Sequence, residues 1–127
     1  MLGKKMSLFA LPALGLGALS LAAPLLAAGD AERGKAVFAR CVACHSMEPN
    51  KNKLGPSLSN IVGRKAGTVP GFKYSQAMAK SGKIWDAKTL DAYLAAPTKA
   101  LPGTTMVIGV PNAADRANLI AYLAAPS

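Results

Sequence analysis

The sequence Cys41-Val42-Ala43-Cys44-His45 contains both cysteines and the only histidine of the 127-residue chain. Two cysteines at this spacing could form a disulfide in an exported protein. They could also form a thioredoxin-like redox site, which requires a preceding strand in a βαβ frame. The residues before Cys41 have helical spacing instead. A zinc site needs four ligands, and the sequence has no second histidine and no further cysteines to supply them.

The histidine directly after the second cysteine indicates a different chemistry. C-x-x-C-H is the attachment signal of c-type haem. Its two thiols, one helical turn apart, each bond the porphyrin, and the adjacent histidine reaches the iron. The motif therefore predicts one covalent haem attached to Cys41 and Cys44, with His45 as an axial ligand.

The second axial ligand has to be another residue type, because His45 is the only histidine. The remaining candidates are methionine and, less often, lysine. Met47 is too close to His45 in sequence to reach the opposite face of the haem. Met106 follows a Pro-Gly loop, a setting that can present a single side chain to a metal. We predict Met106 as the second ligand and keep Met78, which lies in a helix-like run, as the alternative.

Residues 1–28 have the pattern of an export signal. Lys4 and Lys5 precede an uncharged apolar stretch, Met6 to Ala28, that ends in small residues. We predict cleavage after Ala28, which leaves residues 29–127 as a single domain in the periplasm. The same stretch is long enough to span a bilayer, which takes about 20 apolar residues. The alternative is therefore an uncleaved segment that anchors the domain to the membrane.

The charge balance indicates the kind of partner. The chain has 15 basic and 6 acidic residues, a formal charge of +9. Removing Lys4 and Lys5 leaves 13 basic residues against 6, an excess of +7. The apolar fraction of 51% excludes a disordered chain, and export argues against a nucleic-acid partner. The excess predicts docking to acidic protein surfaces, with a merely solvated lysine face as the alternative.

The rest of the chain has the pattern of short helices separated by Gly- and Pro-rich loops. Asp30 is placed to cap a helix from Ala31 to Arg40, and Asp86 and Asn112 are placed to cap two others. Pro97 follows the end of the helix that Asp86 begins. No alternating strand pattern is present. We predict an all-α domain in which Gly34 is small so that another helix can approach it closely.

Further motifs follow in a fixed order along the chain: Gly29-Asp30, Gly34, Phe38, the C-x-x-C-H sequence, Leu54-Gly55-Pro56, Gly63-Arg64-Lys65, Pro70-Gly71-Phe72, Tyr74, Trp85, Tyr93-Leu94, Pro102-Gly103-Thr104, Met106 and Leu119 to Leu123. Together they resemble class I c-type cytochromes, nearest to the mitochondrial type and its short bacterial relatives. The resemblance covers residues 29–127. It implies a small cytochrome c fold of three to five short helices wrapped around one covalent haem.

The resemblance also implies roles for residues around the haem. The Pro56 carbonyl would accept a hydrogen bond from the imidazole of His45. A buried haem propionate would be bound by three residues: Arg64, Tyr74 and Trp85. Two more residues would lie near Met106 and tune the iron through hydrogen bonds: Tyr93 and Thr104.

A haem with both axial positions filled suits electron transfer and not catalysis. We therefore expect a soluble, exported, monomeric one-electron carrier and not an enzyme. The resemblance implies a quinol-oxidising bc-type complex as donor and a terminal oxidase or photosynthetic reaction centre as acceptor, which are membrane redox complexes with acidic docking surfaces. The alternatives are a haem peroxidase or gas-binding protein, which needs an open axial position, and a membrane-tethered haem module.

Overall fold

The computed structural model describes residues 29–126 and, N-terminal to them, residues 3, 7, 10–13, 15 and 17. The predicted export segment, residues 1–28, and its cleavage point after Ala28 therefore lie largely outside the described residues. Within the described residues, no helix is both long and apolar enough to cross a membrane.

Five helices make up the regular structure of residues 29–126: α1 (Ala31–Phe38), α2 (Gln76–Lys80), α3 (Ala87–Ala95), α4 (Pro97–Ala100) and α5 (Ala113–Ala124). The only β pairing in that range is one isolated antiparallel bridge between Lys65 and Ile84. The prediction of a small all-α fold with three to five short helices is confirmed.

The three predicted helix starts are all present, because each has a side chain that satisfies backbone N–H groups of the first turn. The Asp30 carboxylate accepts from the amides of Glu32 and Arg33. The Asn112 side chain accepts from the amide of Asp115. Asp86 and Thr89 form a reciprocal capping box at the start of α3.

The predicted first helix extends two residues too far, since α1 ends at Phe38 and not at Arg40. After Phe38 the chain continues in tighter turns: the amide of Arg40 donates to the Val37 carbonyl and that of Cys41 to the Phe38 carbonyl. These are three-residue bonds, which are common where an α-helix ends. The change in winding occurs directly before the C-x-x-C-H motif.

The second departure from the sequence pattern is at Pro97. α3 ends at Ala95, as the proline predicts, but Pro97 itself begins the additional short helix α4. Proline suits the first position of a helix because its missing N–H would have no partner there and its φ is already helical. The residue that ends one helix therefore starts the next.

The crossing of α1 and α5 brings the two ends of the domain together. A Cβ on Gly34 would lie 1.9 Å from the carbonyl oxygen of Asn118 and 2.8 Å from Cβ of Tyr122. The rings of Phe38 and Tyr122 pack with their centroids 5.3 Å apart. The predicted close approach of a helix at Gly34 is confirmed, and it fixes the end of α1 from which the C-x-x-C-H motif continues.

The core lies between these helices and the loops that connect them. Its buried side chains are mostly aliphatic, with three aromatics: Val37, Phe38, Ile61, Ala66, Trp85, Leu90, Tyr93, Leu94, Val110, Leu119, Ile120 and Leu123. Trp85 and Tyr93 are in contact, with ring centroids 5.1 Å apart. Half-buried Cys41, Met78 and Met106 pack against this core.

We expect Gly34→Ala to destabilise the protein. In an open helix this change is stabilising by about 0.5–1 kcal/mol, because glycine loses more backbone entropy on folding. Here the new Cβ would overlap a backbone oxygen of α5, so the helices must separate at a cost of about 1–3 kcal/mol. Guanidinium unfolding measures the difference. Lys35→Ala, at the next and exposed position of α1, is the control and should stay within about 0.5 kcal/mol of wild type. A Gly34→Ala protein at least as stable as wild type would contradict the close crossing.

Candidate cofactor site

Cys41, Cys44 and His45 lie in the single turn that follows α1. The amides of Cys44 and His45 both donate to the carbonyl of Cys41, at 3.0 and 2.8 Å. Both cysteines are half-buried and form no disulfide with each other, and burial raises the pKa of an unattached Cys41 thiol, an effect that the Arg40 charge opposes. The turn therefore holds the three side chains of the motif close together, as a covalent cofactor attached at two points requires.

The imidazole of His45 is fixed by the loop at Gly55 and Pro56. Its Nδ1 lies 2.7 Å from the Pro56 carbonyl oxygen. A Cβ on Gly55 would lie 2.3 Å from Cε1 of the ring, and the Gly55 amide donates to the Cys44 carbonyl at 2.8 Å. Burial lowers the pKa of His45, and the hydrogen bond to Pro56 partly opposes this. A neutral ring that donates from Nδ1 to a carbonyl has its lone pair on Nε2, the atom that would bind a metal.

Hydrogen bonds of Asn52 and Ser57 support the loop that contains Pro56. The side-chain oxygen of Asn52 accepts from the Ser57 amide at 2.9 Å, and its Nδ2 donates to the Pro70 carbonyl at 3.0 Å. The Ser57 hydroxyl donates to the Glu48 carbonyl at 2.6 Å. The loop that holds His45 is therefore itself fixed by neighbouring loops. Sequence reasoning did not identify Asn52, because a single polar residue in a loop has no pattern that predicts its partners.

Three methionines of the domain pack against the core, and two of them are candidate axial ligands. Met47, Met78 and Met106 are all half-buried. Met78 lies in α2, and its amide donates to the Ser75 hydroxyl at 3.1 Å. Met106 lies in the loop between α4 and α5 as expected. The next two side chains, Val107 and Ile108, are each 69% exposed, so Met106 points inward from a segment that otherwise faces solvent.

Tyr93 and Thr104 connect α3 to the loop that carries Met106. Their hydroxyl oxygens are 2.6 Å apart. Burial raises the pKa of Tyr93, while the bond to Thr104 opposes the shift. The phenol is therefore protonated at neutral pH and shares one hydrogen bond with Thr104, two residues before Met106.

Arg64 is the one described side chain with a buried cationic nitrogen that has no hydrogen-bond partner. Its Nη2 donates to the Ser59 carbonyl at 2.5 Å, and its Nη1 is unpaired. The Trp85 amide donates to the Arg64 carbonyl at 2.8 Å. The Tyr74 hydroxyl accepts from the Val69 amide at 2.9 Å, and burial raises the pKa of Tyr74, with the Arg64 charge among the effects that oppose it. A buried cationic nitrogen is costly unless an anion pairs with it, so this site fits the carboxylate of a haem propionate.

Sequence reasoning also missed Ser59. Its backbone carbonyl holds Arg64, and its own hydroxyl is buried without a partner. Ser59 is only 3% exposed, although its neighbour Asn60 is exposed. The contact to Arg64 is made by the backbone, which any residue type could supply, so nothing in the sequence marks this position.

Comparison with known proteins gives one consistent family. The family model for cytochrome c matches residues 31–125. Cytochrome c2 of Rhodomicrobium vannielii is 50% identical over 109 residues, which is 84% of this chain and 87% of the relative. Cytochrome c2 of Rhodoblastus acidophilus is 50% identical over 98 residues, 76% of this chain and 92% of the relative. Among solved structures, cytochrome cH from Methylobacterium extorquens has a TM-score of 0.70 and 44% identity, covering 75% of this chain and 97% of its own.

The small helical fold and the C-x-x-C-H turn define a class of haem protein, the c-type cytochromes. Within that class, the chain belongs to the cytochrome c family. Membership confirms the prediction of one covalently attached haem c, for which Cys41 and Cys44 supply the attachment motif. It also confirms the prediction of an electron-transfer protein and not an enzyme.

We expect Arg64→Leu to lower the reduction potential. A positive charge next to the cofactor favours the reduced form, which carries one positive charge fewer. A one-electron potential moves by about 59 mV for each tenfold change in the equilibrium, and a partly screened charge of this kind should be worth about 30–60 mV. Spectroelectrochemical titration at pH 7 measures it. Arg33→Leu removes an exposed arginine of α1 and is the charge-matched control, expected to shift the potential much less. Equal shifts in the two variants would contradict the assignment of Arg64 to the haem.

Proposed function

We propose that this cytochrome is an exported one-electron carrier in which His45 and Met106 are the axial ligands of the haem held by Cys41 and Cys44. The observation that carries the proposal is the fixed imidazole of His45 in the attachment turn, with Nδ1 at 2.7 Å from the Pro56 carbonyl. A single turn thus supplies both covalent attachment and one ligand in a defined tautomer. The inward-pointing Met106 supplies the opposite side.

Electron transfer follows from what these residues hold in place. A haem held between His45 and Met106 would supply one-electron chemistry only, because no axial position would be left for a substrate, and the soft thioether would favour the ferrous form. Pro56 keeps the imidazole of His45 in one orientation. The hydrogen bond between Tyr93 and Thr104 holds the other loop two residues before Met106. A site whose ligands are held in both oxidation states needs little rearrangement when an electron enters or leaves.

The structure favours Met106 over Met78 through its backbone setting. Met78 is part of α2, where its position is set by helical bonds and by the Ser75 cap. Met106 lies in a loop whose backbone can adapt to the length of a metal bond. As the second axial ligand, Met106 would fill the position that a peroxidase or gas-binding protein keeps open, which argues against those functions.

The partners we propose are membrane redox complexes with acidic docking surfaces: a quinol-oxidising bc-type complex as donor, and a terminal oxidase or photosynthetic reaction centre as acceptor. One edge of the attachment turn has the required surface. Val42 and Leu54 are 46% and 82% exposed, and the exposed Lys53 donates from Nζ to the Val42 carbonyl at 2.7 Å. Small apolar areas beside cationic side chains suit brief encounters that are steered by charge.

We propose that the mature protein is a monomer in the periplasm, formed by cleavage of residues 1–28 after Ala28. The proposal rests on the export pattern of the sequence and on the position of the fold, whose first capping residue is Asp30. If the segment stays uncut, the same domain would be a membrane-tethered haem module. N-terminal sequencing of the purified protein distinguishes these two forms.

Met106→Ala should remove the near-infrared charge-transfer band that a thioether ligand gives to a ferric haem. It should also lower the reduction potential and allow carbon monoxide to bind the ferrous protein readily, because one axial position is opened. Absorption spectra of both oxidation states measure these effects. Met78→Leu, a nearly volume-conserving change, is the control and should keep the band. Loss of the band in Met78→Leu together with its retention in Met106→Ala would show that the ligand is assigned wrongly.

Electron transfer to an acidic acceptor should slow as salt is added. Raising the ionic strength from about 0.01 to 1 M shortens the screening length from about 30 to about 3 Å, so a steered rate constant should fall about tenfold or more. Stopped-flow kinetics at neutral pH measures this. Lys53→Gln should reduce the low-salt rate more than Lys35→Gln, which removes the same charge from α1. A rate that is constant or rises with salt contradicts electrostatic docking and leaves the haem assignment intact.

A further inference from the structure

Arg116 is the most extensively bonded arginine among the described residues, and no role proposed above uses it. Its Nε donates to Oδ1 of Asp91 in α3 at 2.7 Å. Its Nη1 donates to the carbonyls of Val110 and Pro111, at 3.1 and 2.8 Å. The Arg116 side chain is only 13% exposed, whereas that of Arg40, which forms the other ion pair of α5, is 57% exposed.

These bonds hold one end of the segment that carries Met106. The segment, residues 105–109, makes no backbone hydrogen bond to any other described residue. On its N-terminal side, Thr104 is bonded to Tyr93. On its C-terminal side, the Val110 amide donates to the Leu94 carbonyl at 2.7 Å, and Arg116 binds the carbonyls of Val110 and Pro111.

A segment whose backbone hydrogen bonds lie only at its two ends opens more readily when either end is released. Local opening of this kind has its own free energy, which is smaller than that of global unfolding. Val110 is only 4% exposed, and the two carbonyls that Arg116 binds would lose charge-assisted hydrogen bonds if it were replaced. The ion pair with half-exposed Asp91 adds less, since exposed pairs contribute little. Arg116 should therefore affect this segment more than the rest of the fold.

We propose that Arg116 is a positioning residue that keeps residues 105–109 closed and thereby sets how often Met106 leaves the iron. Two helices then hold the segment in place. α3 contributes Asp91, Tyr93 and Leu94, and α5 contributes Arg116. This inference rests on the proposed function, in which Met106 is the axial ligand. It adds to that function a residue ten positions away in sequence that controls how firmly the ligand stays bound.

The test is the rate at which cyanide binds the ferric holoprotein, because cyanide can bind only after Met106 has left. At saturating cyanide the rate reports the opening of the segment. We expect Arg116→Gln to raise this rate about tenfold or more, as the loss of a charge-assisted hydrogen bond implies. Asp91→Asn breaks only the ion pair and should raise it less. Arg40→Gln, which removes the ion pair with Asp115 from the same helix, should stay within about twofold of wild type.

A second control separates local opening from general loss of stability. Asp30→Ala removes the cap of α1, far along the chain from residues 105–109, and should lower global stability without raising the cyanide rate in proportion. If Arg116→Gln raises the rate no more than Asp30→Ala does at equal loss of stability, the positioning role is wrong. A wild-type protein without the thioether band contradicts the ligation itself. If the wild-type protein has the band and the Arg116→Gln variant binds cyanide at the wild-type rate, only the role of Arg116 is contradicted.

Discussion

The contact between α1 and α5 at Gly34 relates the two sides of the haem site to each other. With the Asn118 carbonyl only 1.9 Å from where a side chain on Gly34 would begin, the two helices leave no room for a side chain at this position. α1 leads directly into the turn of Cys41 to His45. α5 carries Arg116, which reaches the loop after Met106. The two proposed haem ligands lie far apart in the sequence. The crossing of α1 and α5 fixes the positions of the two segments that carry them relative to each other.

Stability must come from the core and the cofactor more than from surface charges. Apart from Arg116–Asp91, the ion pairs in the described residues are largely exposed, such as Lys51–Glu48 with side chains 54% and 71% exposed, and pairs of this kind contribute at most about 1 kcal/mol. A domain of this size buries a modest share of its surface and commonly needs a covalent staple or a cofactor. The buried Nη1 of Arg64 has no hydrogen-bond partner among the described residues and fits a haem propionate.

Features that depend on neighbouring residues were predictable from the sequence. Asp30, Asp86 and Asn112 cap helices through residues two or three positions away, so their roles are visible in the sequence. Gly34 could be predicted because a glycine on the apolar face of a helix indicates that another element packs close to it. Pro97 shows the limit of such local rules, because the same proline is compatible with the end of α3 and with the start of α4.

The rest of the site depends on contacts between distant residues, which no local pattern encodes. Arg116 and Asp91 are 25 positions apart, and their pairing exists only because α3 and α5 pack together. Asp115, in the first turn of α5, binds Arg40, which lies 75 positions earlier. The Ser59 carbonyl that holds Arg64 is a backbone group and has no signature in the sequence. The haem ligands stay a prediction, which the motif and the few methionines limit to a small set. Pro56 was expected from the resemblance, whereas the contacts of Asn52 and Arg116 became visible only in the structure.

The intact mass of the purified protein under denaturing, reducing conditions tests the central claim most directly. Covalent attachment at Cys41 and Cys44 predicts the mass of the polypeptide plus one haem, and the haem should stay bound when the fold is lost. The same spectrum reports whether residues 1–28 are present. A mass equal to the polypeptide alone, with haem released into solution, would contradict covalent attachment and the account of the site built on it.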